Sequence, residues 1–256
     1  MTGVAVRNIL VDWGGQSLLN MGDLAMAMVA VERLREQFPA ATLRVTCYAP
    51  EEIPRYCPGA EGLSETALQT LFWRRVVPGT IGRFLPFLAR WENRTLRRNP
   101  LRILRARIRR HAKTPPERDD ALHAVDVLSR SDLYVAAGGG YLTDAFEGHV
   151  LRLLDLLQVG LDLGKPVALF GQGLGPMTQP SLRERTREVL RGATLLTLRE
   201  SRAGSGFLKD LDPAPWETPV TGDDAISMVR ERTVPAPGNT RADLGFNIRV
   251  ARHAGT

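Results

Sequence analysis

The chain has 256 residues, of which 43% are hydrophobic and 24% charged, and carries a net charge of +6. That length buries a sizeable core in one large or two small units, and the composition excludes intrinsic disorder. No apolar run approaches the roughly 20 residues that span a bilayer, and Met1–Leu10 lacks the basic start, apolar stretch and cleavage site of a signal peptide, so a cytoplasmic protein is expected.

A first strand is predicted at Asn8–Asp12, feeding a glycine-containing turn from Trp13 to Asp23. Such a turn lets a backbone approach a ligand, and the helix start behind it favours anions. The plainer reading is a tight turn with Asp23 as helix cap, and both stand at this point. Leu24, Ala27, Met28, Val31, Leu34 and Phe38 recur at helical spacing, which predicts a helix over Asp23–Gln37. A strand follows at Leu43–Tyr48. Cys47 and Cys57 are too far apart for a CxxC pair and too few for a zinc knuckle, and are expected as buried thiols.

Between Arg74 and Arg118 lie 14 Arg or Lys against two acids, a local +12 that leaves −6 for the rest of the chain. Pro78, Pro86, Pro100, Pro115 and Pro116 divide this stretch. Leu101, Leu104 and Ile108 form a narrow apolar stripe with arginines on the other faces. Residues 74–118 are therefore expected as an Arg-rich helical insert, either simply solvated or touching an anionic membrane surface. Few aromatics and no recognised motif accompany the charge, so no nucleic-acid partner is expected.

Beyond the insert, strands are predicted at Asp132–Ala136, Pro166–Phe170, Thr194–Leu198 and Thr218–Thr221. A helix is predicted over Gly148–Leu163, ending at Gly164, and another over Ser181–Arg191 with a Ser181/Glu184 capping box and Gly192 just past its end. The alternation of apolar runs with amphipathic helices predicts an α/β fold with a Rossmann-like parallel sheet flanked by helices. Two glycine clusters, Gly138-Gly139-Gly140 leading to Asp144 and Gly171-Gln172-Gly173-Leu174-Gly175-Pro176, are expected as loops closing the strands at Asp132–Ala136 and Pro166–Phe170. Neither matches G-x-G-x-x-G, and in the first Thr143 stands at the third glycine's place. Arg199-Glu200-Ser201 follows the strand at Thr194–Leu198. Arg199 either grips a phosphate or carboxylate or makes a surface ion pair with Glu200 or Glu188. Asp223 and Asp224 read as turn and helix-cap residues, and no metal site is expected. The four histidines fall in no Ser-His-Asp or His-x-x-His arrangement. Pro235, Pro237 and Gly238 mark 231–242 as a linker after a domain over 1–230, and 243–256 is expected to open a further, truncated domain with a strand at Leu244–Val250.

In order and spacing, these pieces resemble the polysaccharide pyruvyl transferase family. The matching residues are Asn20-Met21-Gly22-Asp23, Ser131-Asp132, Gly138 to Asp144, Gly164-Lys165-Pro166-Val167, Gly171 to Pro176, Leu198-Arg199-Glu200-Ser201 and Thr221 to Ala225. The resemblance implies the N-terminal half of a glycosyltransferase-B-like, two-domain enzyme with its site in the cleft. It also implies phosphoenolpyruvate as donor substrate, no cofactor, and a glycan or lipid-linked glycan as acceptor. Carried over residue by residue, it assigns Arg199 to the donor anion. Asn20, Gly22, Asp23, Gly139, Gly140, Asp144, Gln172, Gly173 and Ser201 complete the substrate-binding set. Glu200 departs from the family's commoner Asp. The family's histidine motif and further donor arginine belong to its second domain, so no catalytic residue is assigned here and this half is expected to be inactive alone. A nucleotide-sugar transferase of the same architecture and a non-catalytic binding module are the other open readings.

Overall fold

The computed structural model describes residues 5–14, 17–73, 87, 92, 95–201, 207–209 and 218–232. Seven strands form one sheet: β1 (Asn8–Asp12), β2 (Thr42–Cys47), β3 (Ala60–Ser64), β4 (Leu133–Ala136), β5 (Gly139–Leu142), β6 (Val167–Leu174) and β7 (Leu195–Leu198). The order runs β3-β2-β1-β4-β6-β5, with β7 also paired to β6, and every pairing is parallel. The fold is thus α/β and Rossmann-like. Strand order reverses between β1 and β4, the point at which such sheets open a crevice beyond their carboxyl ends.

Among the described residues the sheet is accompanied by the helices α1 (Met21–Gln37), α2 (Ile53–Tyr56), α3 (Glu65–Phe72), α4 (Pro100–His111), α5 (Pro115–Arg130), α6 (Glu147–Asp162), α7 (Pro180–Gly192) and α8 (Asp224–Arg232). The strand period of two divides the apolar residues between two cores. Ile9 and Val11 face one side with Val135 and Ala168, where α1 supplies Leu24, Ala27, Ala30, Val31 and Leu34. Leu10, Tyr134, Ala136 and Leu169 face the other, covered by α3 to α7. The sheet is therefore buried on both faces, which is why its strands read as continuous apolar runs rather than alternating ones. Gly160 lets α6 lie against β4, since a Cβ there would stand 2.8 Å from the Tyr134 ring.

Several boundaries differ from the sequence expectation for physical reasons. α1 starts at Met21 because Asn20, not Asp23, is its cap: Gly22 N–H donates to Asn20 Oδ1. The glycine clusters are not simply loops. Gly139 and Gly140 belong to β5, and β6 continues through Gly171-Gln172-Gly173 to Leu174, because those two short runs pair with each other. The Ser181/Glu184 box is not formed. α7 begins at Pro180 behind Gln179, with no side-chain cap. Gly192 is the last residue of that helix rather than its terminator, and its lack of a Cβ makes room for Leu161, which would be 2.7 Å away. A capping box does form at Thr114 and Glu117, heading α5. Around the expected strand at Thr218–Thr221 the structure has only a bridge between Leu198 and Val220. β3 was not expected. Its Ala-Glu-Gly-Leu-Ser sequence is weakly apolar, and its pairing along all five residues with β2 makes it a strand.

Of the Arg-rich stretch, 74–86, 88–91 and 93–94 lie outside the described residues, as do the 233–256 segment with the expected strand at Leu244–Val250 and nearly all of the expected linker. The described part is integrated into the fold. α4 buries Ile103, Leu104 and Ile108 against the core, with Leu101 half-buried. Arg107 is buried too: it donates to Glu92 Oε1 through Nε at 3.1 Å and Nη2 at 2.9 Å, and to the Leu71 carbonyl at 2.7 Å. Arg102, Arg105, Arg109 and Arg110 point to solvent. Both cysteines are free and buried, and burial pushes Cys57 up to about 11. Among the described residues no helix is long and apolar enough to cross a membrane.

Candidate functional site

The crevice at the switch point holds a cavity of about 650 Å³. Its lining comes from nearly every carboxyl-end connection: Gly14, Asn20 and Asp23 after β1, Tyr48 after β2, Glu65 and Trp73 at the ends of α3, Gly140 and Tyr141 in β5, and Arg199 after β7. α6 adds Gly148, His149 and Arg152 from below. Separate loops thus converge because parallel strands deliver all their carboxyl ends to one edge.

The glycine clusters create room for charged side chains. A Cβ on Gly140 would stand 3.1 Å from the Arg199 guanidinium, and one on Gly173 would stand 3.2 Å from it. Gly138 and Gly171 do the same for Asp224, whose Oδ2 would lie 3.2 and 3.0 Å away. Gly14 and Gly139 make room for the Tyr141 ring, which would be 2.4 Å from either Cβ. Arg199 is thereby seated over the β5–β6 glycines, with its backbone N–H donating to the Gln172 carbonyl. Its guanidinium approaches Asp223 at 3.6 Å, longer than a hydrogen bond. Glu188, considered as its partner from the sequence, pairs instead with Arg97 at 2.8 Å and Arg185 at 3.1 Å. Asp224 is buried and bound to Arg33 at 2.5 Å, and burial, with Asp223 beside it, raises its carboxyl above the ordinary range.

Beneath the cavity floor lies a buried ionic cluster that the sequence reading did not find. Arg152 donates through Nη1 and Nη2 to Asp12 Oδ2 and Oδ1 at 2.7 and 2.8 Å, and all three partners, Glu65 included, are at most 1% exposed. Thr46 Oγ1 donates to Asp12 at 3.0 Å. Glu65 Oε1 lies 3.0 Å from Arg152 Nε, and its Oε2 is buried without a hydrogen-bond partner. Burial, reinforced by the Asp12 charge and only partly offset by Arg152, pushes Glu65 up to about 8. His149 packs edge-on against Tyr141 at 4.9 Å, and burial next to Arg152 lowers it to about 4, so it is neutral near pH 7. Asp12 ends a predicted strand and Arg152 sits in a predicted helix, yet 140 residues separate them, and nothing local signals their pairing.

Of the residues named from the sequence, the cavity gathers Asn20, Asp23, Gly140 and Arg199. Asn20 Nδ2 donates to Asp23 Oδ2 at 2.6 Å. Gly22 lies in the first turn of α1, while Gly139 and Gly173 sit just behind the wall under Tyr141 and Arg199. Gln172 is buried, its Nε2 donating to the Ala137 carbonyl at 2.9 Å and to Tyr141 Oη at 3.3 Å. Asp144 accepts from Thr178 N–H at 2.6 Å and Oγ1 at 2.7 Å, tying the turn after β6. Ser201 is exposed and outside the cavity lining. Among the described residues no group of three His, Cys, Asp or Glu is placed to hold a metal.

The parallel sheet and the switch-point crevice with its seated arginine define an α/β protein of Rossmann-like type. A family model, polysaccharide pyruvyl transferase, matches residues 20–254, and the chain belongs to that transferase family. No curated protein matches it significantly.

Proposed function

We propose that the protein transfers pyruvate from phosphoenolpyruvate to two hydroxyls of one sugar, as a cyclic ketal, during the assembly of a cell-surface polysaccharide. The observation that carries this is Arg199, held by Gly140 and Gly173 at the edge of a cavity of about 650 Å³. The donor bears a phosphate and a carboxylate, and a guanidinium fork matches either one bidentately. Asn20 adds an amide on the opposite side of the switch point. Tyr48 and Trp73 line the same cavity with half their surface exposed, offering flat aromatic faces to the C–H face of an acceptor sugar.

Thermal shift tests the reading. Phosphoenolpyruvate at 100 times its Kd stabilises the protein by about 2.7 kcal/mol, while phosphate and UDP-glucose at equal concentration do not. Arg199→Ala removes charged hydrogen bonds and weakens the donor by roughly 10- to 150-fold, or about 1.5–3 kcal/mol. Stabilisation by UDP-glucose alone would move the protein to the nucleotide-sugar class. Unchanged donor affinity in Arg199→Ala would remove that residue from the site.

The exposed Arg102, Arg105 and Arg109 step along one face of α4. We propose that this stripe contacts anionic lipid, placing the transferase at the cytoplasmic face of a membrane that carries a lipid-linked acceptor. Binding to vesicles with 30% phosphatidylglycerol is expected to fall several-fold between 50 and 300 mM salt and in the Arg102→Glu/Arg105→Glu/Arg109→Glu variant. Binding indifferent to both lipid charge and salt would count against the contact.

A further inference from the structure

Pyruvyl transfer needs an acid at the donor's methylene carbon, and the sequence assigned none. Two carboxyls line the cavity among the described residues, Asp23 and Glu65. Asp23 accepts a hydrogen bond from Asn20 at 2.6 Å and lies toward the mouth. Glu65 is different. It shares one guanidinium with Asp12, and Asp12 already takes both terminal nitrogens of Arg152. One cation and two carboxylates in a space closed to water would leave a net negative charge, which burial penalises heavily. A proton on Glu65 makes the cluster neutral. Its Oε2, buried and without a partner, is where that proton is free to be given away.

We propose that Glu65 is the proton donor of the transfer reaction, with Arg152 and Asp12 as the positioning residues that keep it protonated beneath the donor. The assignment rests on the reading given under Proposed function. The Glu65 proton passes to the methylene carbon of the enol phosphate, whose π electrons form the new C–H bond and leave a cationic ketal carbon. The first sugar hydroxyl attacks that carbon through oxygen, and its proton returns to Glu65. Phosphate then departs with the C–O bonding pair. The second hydroxyl closes the ketal, and its proton leaves with phosphate. The raised carboxyl, near 8, suits a group that must be protonated at neutral pH and regain its proton each cycle.

The groups facing Glu65 separate its titration from theirs. Arg152 and His149 come from α6, Asp12 from β1, Tyr141 from β5, Cys47 and Tyr48 from β2 and its end, and Gln69 from its own helix. His149 titrates near 4, and Tyr141 is raised by burial beyond the range of interest. Gln69 favours the charged form without giving Oε2 a hydrogen bond.

Two measurements test the assignment on the full chain. Calorimetric titration with phosphoenolpyruvate from pH 6 to 9.5 is expected to show wild-type Kd rising up to about tenfold per unit above pH 8, as an ionised Glu65 repels the anion. E65Q, which keeps the neutral cluster, binds as wild type at pH 7 and stays flat. In the host, acid-releasable ketal pyruvate on the surface glycan is lost in E65Q, as in a gene deletion, and partly restored in E65D. A wild-type pH profile in E65Q, wild-type pyruvate in E65Q, or loss of donor binding in E65Q at pH 7 would each overturn Glu65 as the acid. An unchanged pyruvate content in the deletion would instead overturn the pyruvyl transfer reading itself.

Discussion

Arg152→Met is expected to lower stability by about 3–5 kcal/mol, because it strands Asp12 as an uncompensated charge in a space that excludes water. The wild-type guanidinium is fully buried and gives Asp12 two hydrogen bonds, at 2.7 and 2.8 Å. Methionine fills most of its volume, so the loss reports charge rather than a cavity. For a domain of this size the melting temperature should fall by roughly 6–20 °C. Adding Asp12→Asn should recover much of the loss, since the stranded charge is removed too. A melt within a degree of wild type would mean that the cluster is not a buried ionic centre. Glu65 gives the same cluster a distinctive pH dependence. Its folded value, about 8, lies above the ordinary 4.5, so the unfolded chain releases its proton first. The stability it contributes is complete below about 4.5 and is lost as pH rises to 8. E65Q should therefore gain on wild type across that window and hold a constant margin above it.

Gly173→Val should cost more donor affinity than Arg199→Ala while leaving Arg199 in the chain. A Cβ at Gly173 would sit 3.2 Å from the guanidinium and 3.3 Å from both the Gly139 carbonyl and the Gly140 Cα. The arginine tip can swing away; the two backbone atoms cannot. Valine's methyl groups then occupy the seat itself, and overpacking against β5 adds about 1–3 kcal/mol of destabilisation. We expect phosphoenolpyruvate binding to weaken beyond the roughly 150-fold upper end expected of Arg199→Ala, combining the lost ion contact with a displaced wall. Calorimetry with the donor, alongside a melt to show that the variant folds, measures both parts. Donor binding within threefold of wild type would show that Arg199 does not need this seat.

The candidate site was half legible before the structure. Arg199 and Asn20 stood out because each follows a strand that apolar composition marks clearly, and the carboxyl edge of a parallel sheet is where ligands bind. The glycines stood out as well, but for a different reason from the one the structure gives. Gly140 and Gly173 clear space for Arg199, Gly138 and Gly171 for Asp224, and Gly14 and Gly139 for the Tyr141 ring. A missing Cβ is visible in a sequence; the group that fills its place is not. Asp144 and Gln172 share motifs with cavity residues, yet their side chains turn to Thr178 and to the Ala137 carbonyl.

By itself the sequence determined the α/β class, the positions of β1, β2, β4 and β7 to within a residue, and the family to which the chain belongs, because apolar periodicity and short ordered motifs are local properties. Only tertiary structure decided that β5 is a strand, since Gly-Gly-Tyr-Leu has little strand character until β6 pairs with it. Tertiary structure likewise turned Arg107 inward to Glu92 and assembled Asp12, Glu65 and Arg152 from a strand end and two helices. Charged residues carry no periodic signature of burial. Their place inside depends on a partner that is distant in the chain and close only after folding.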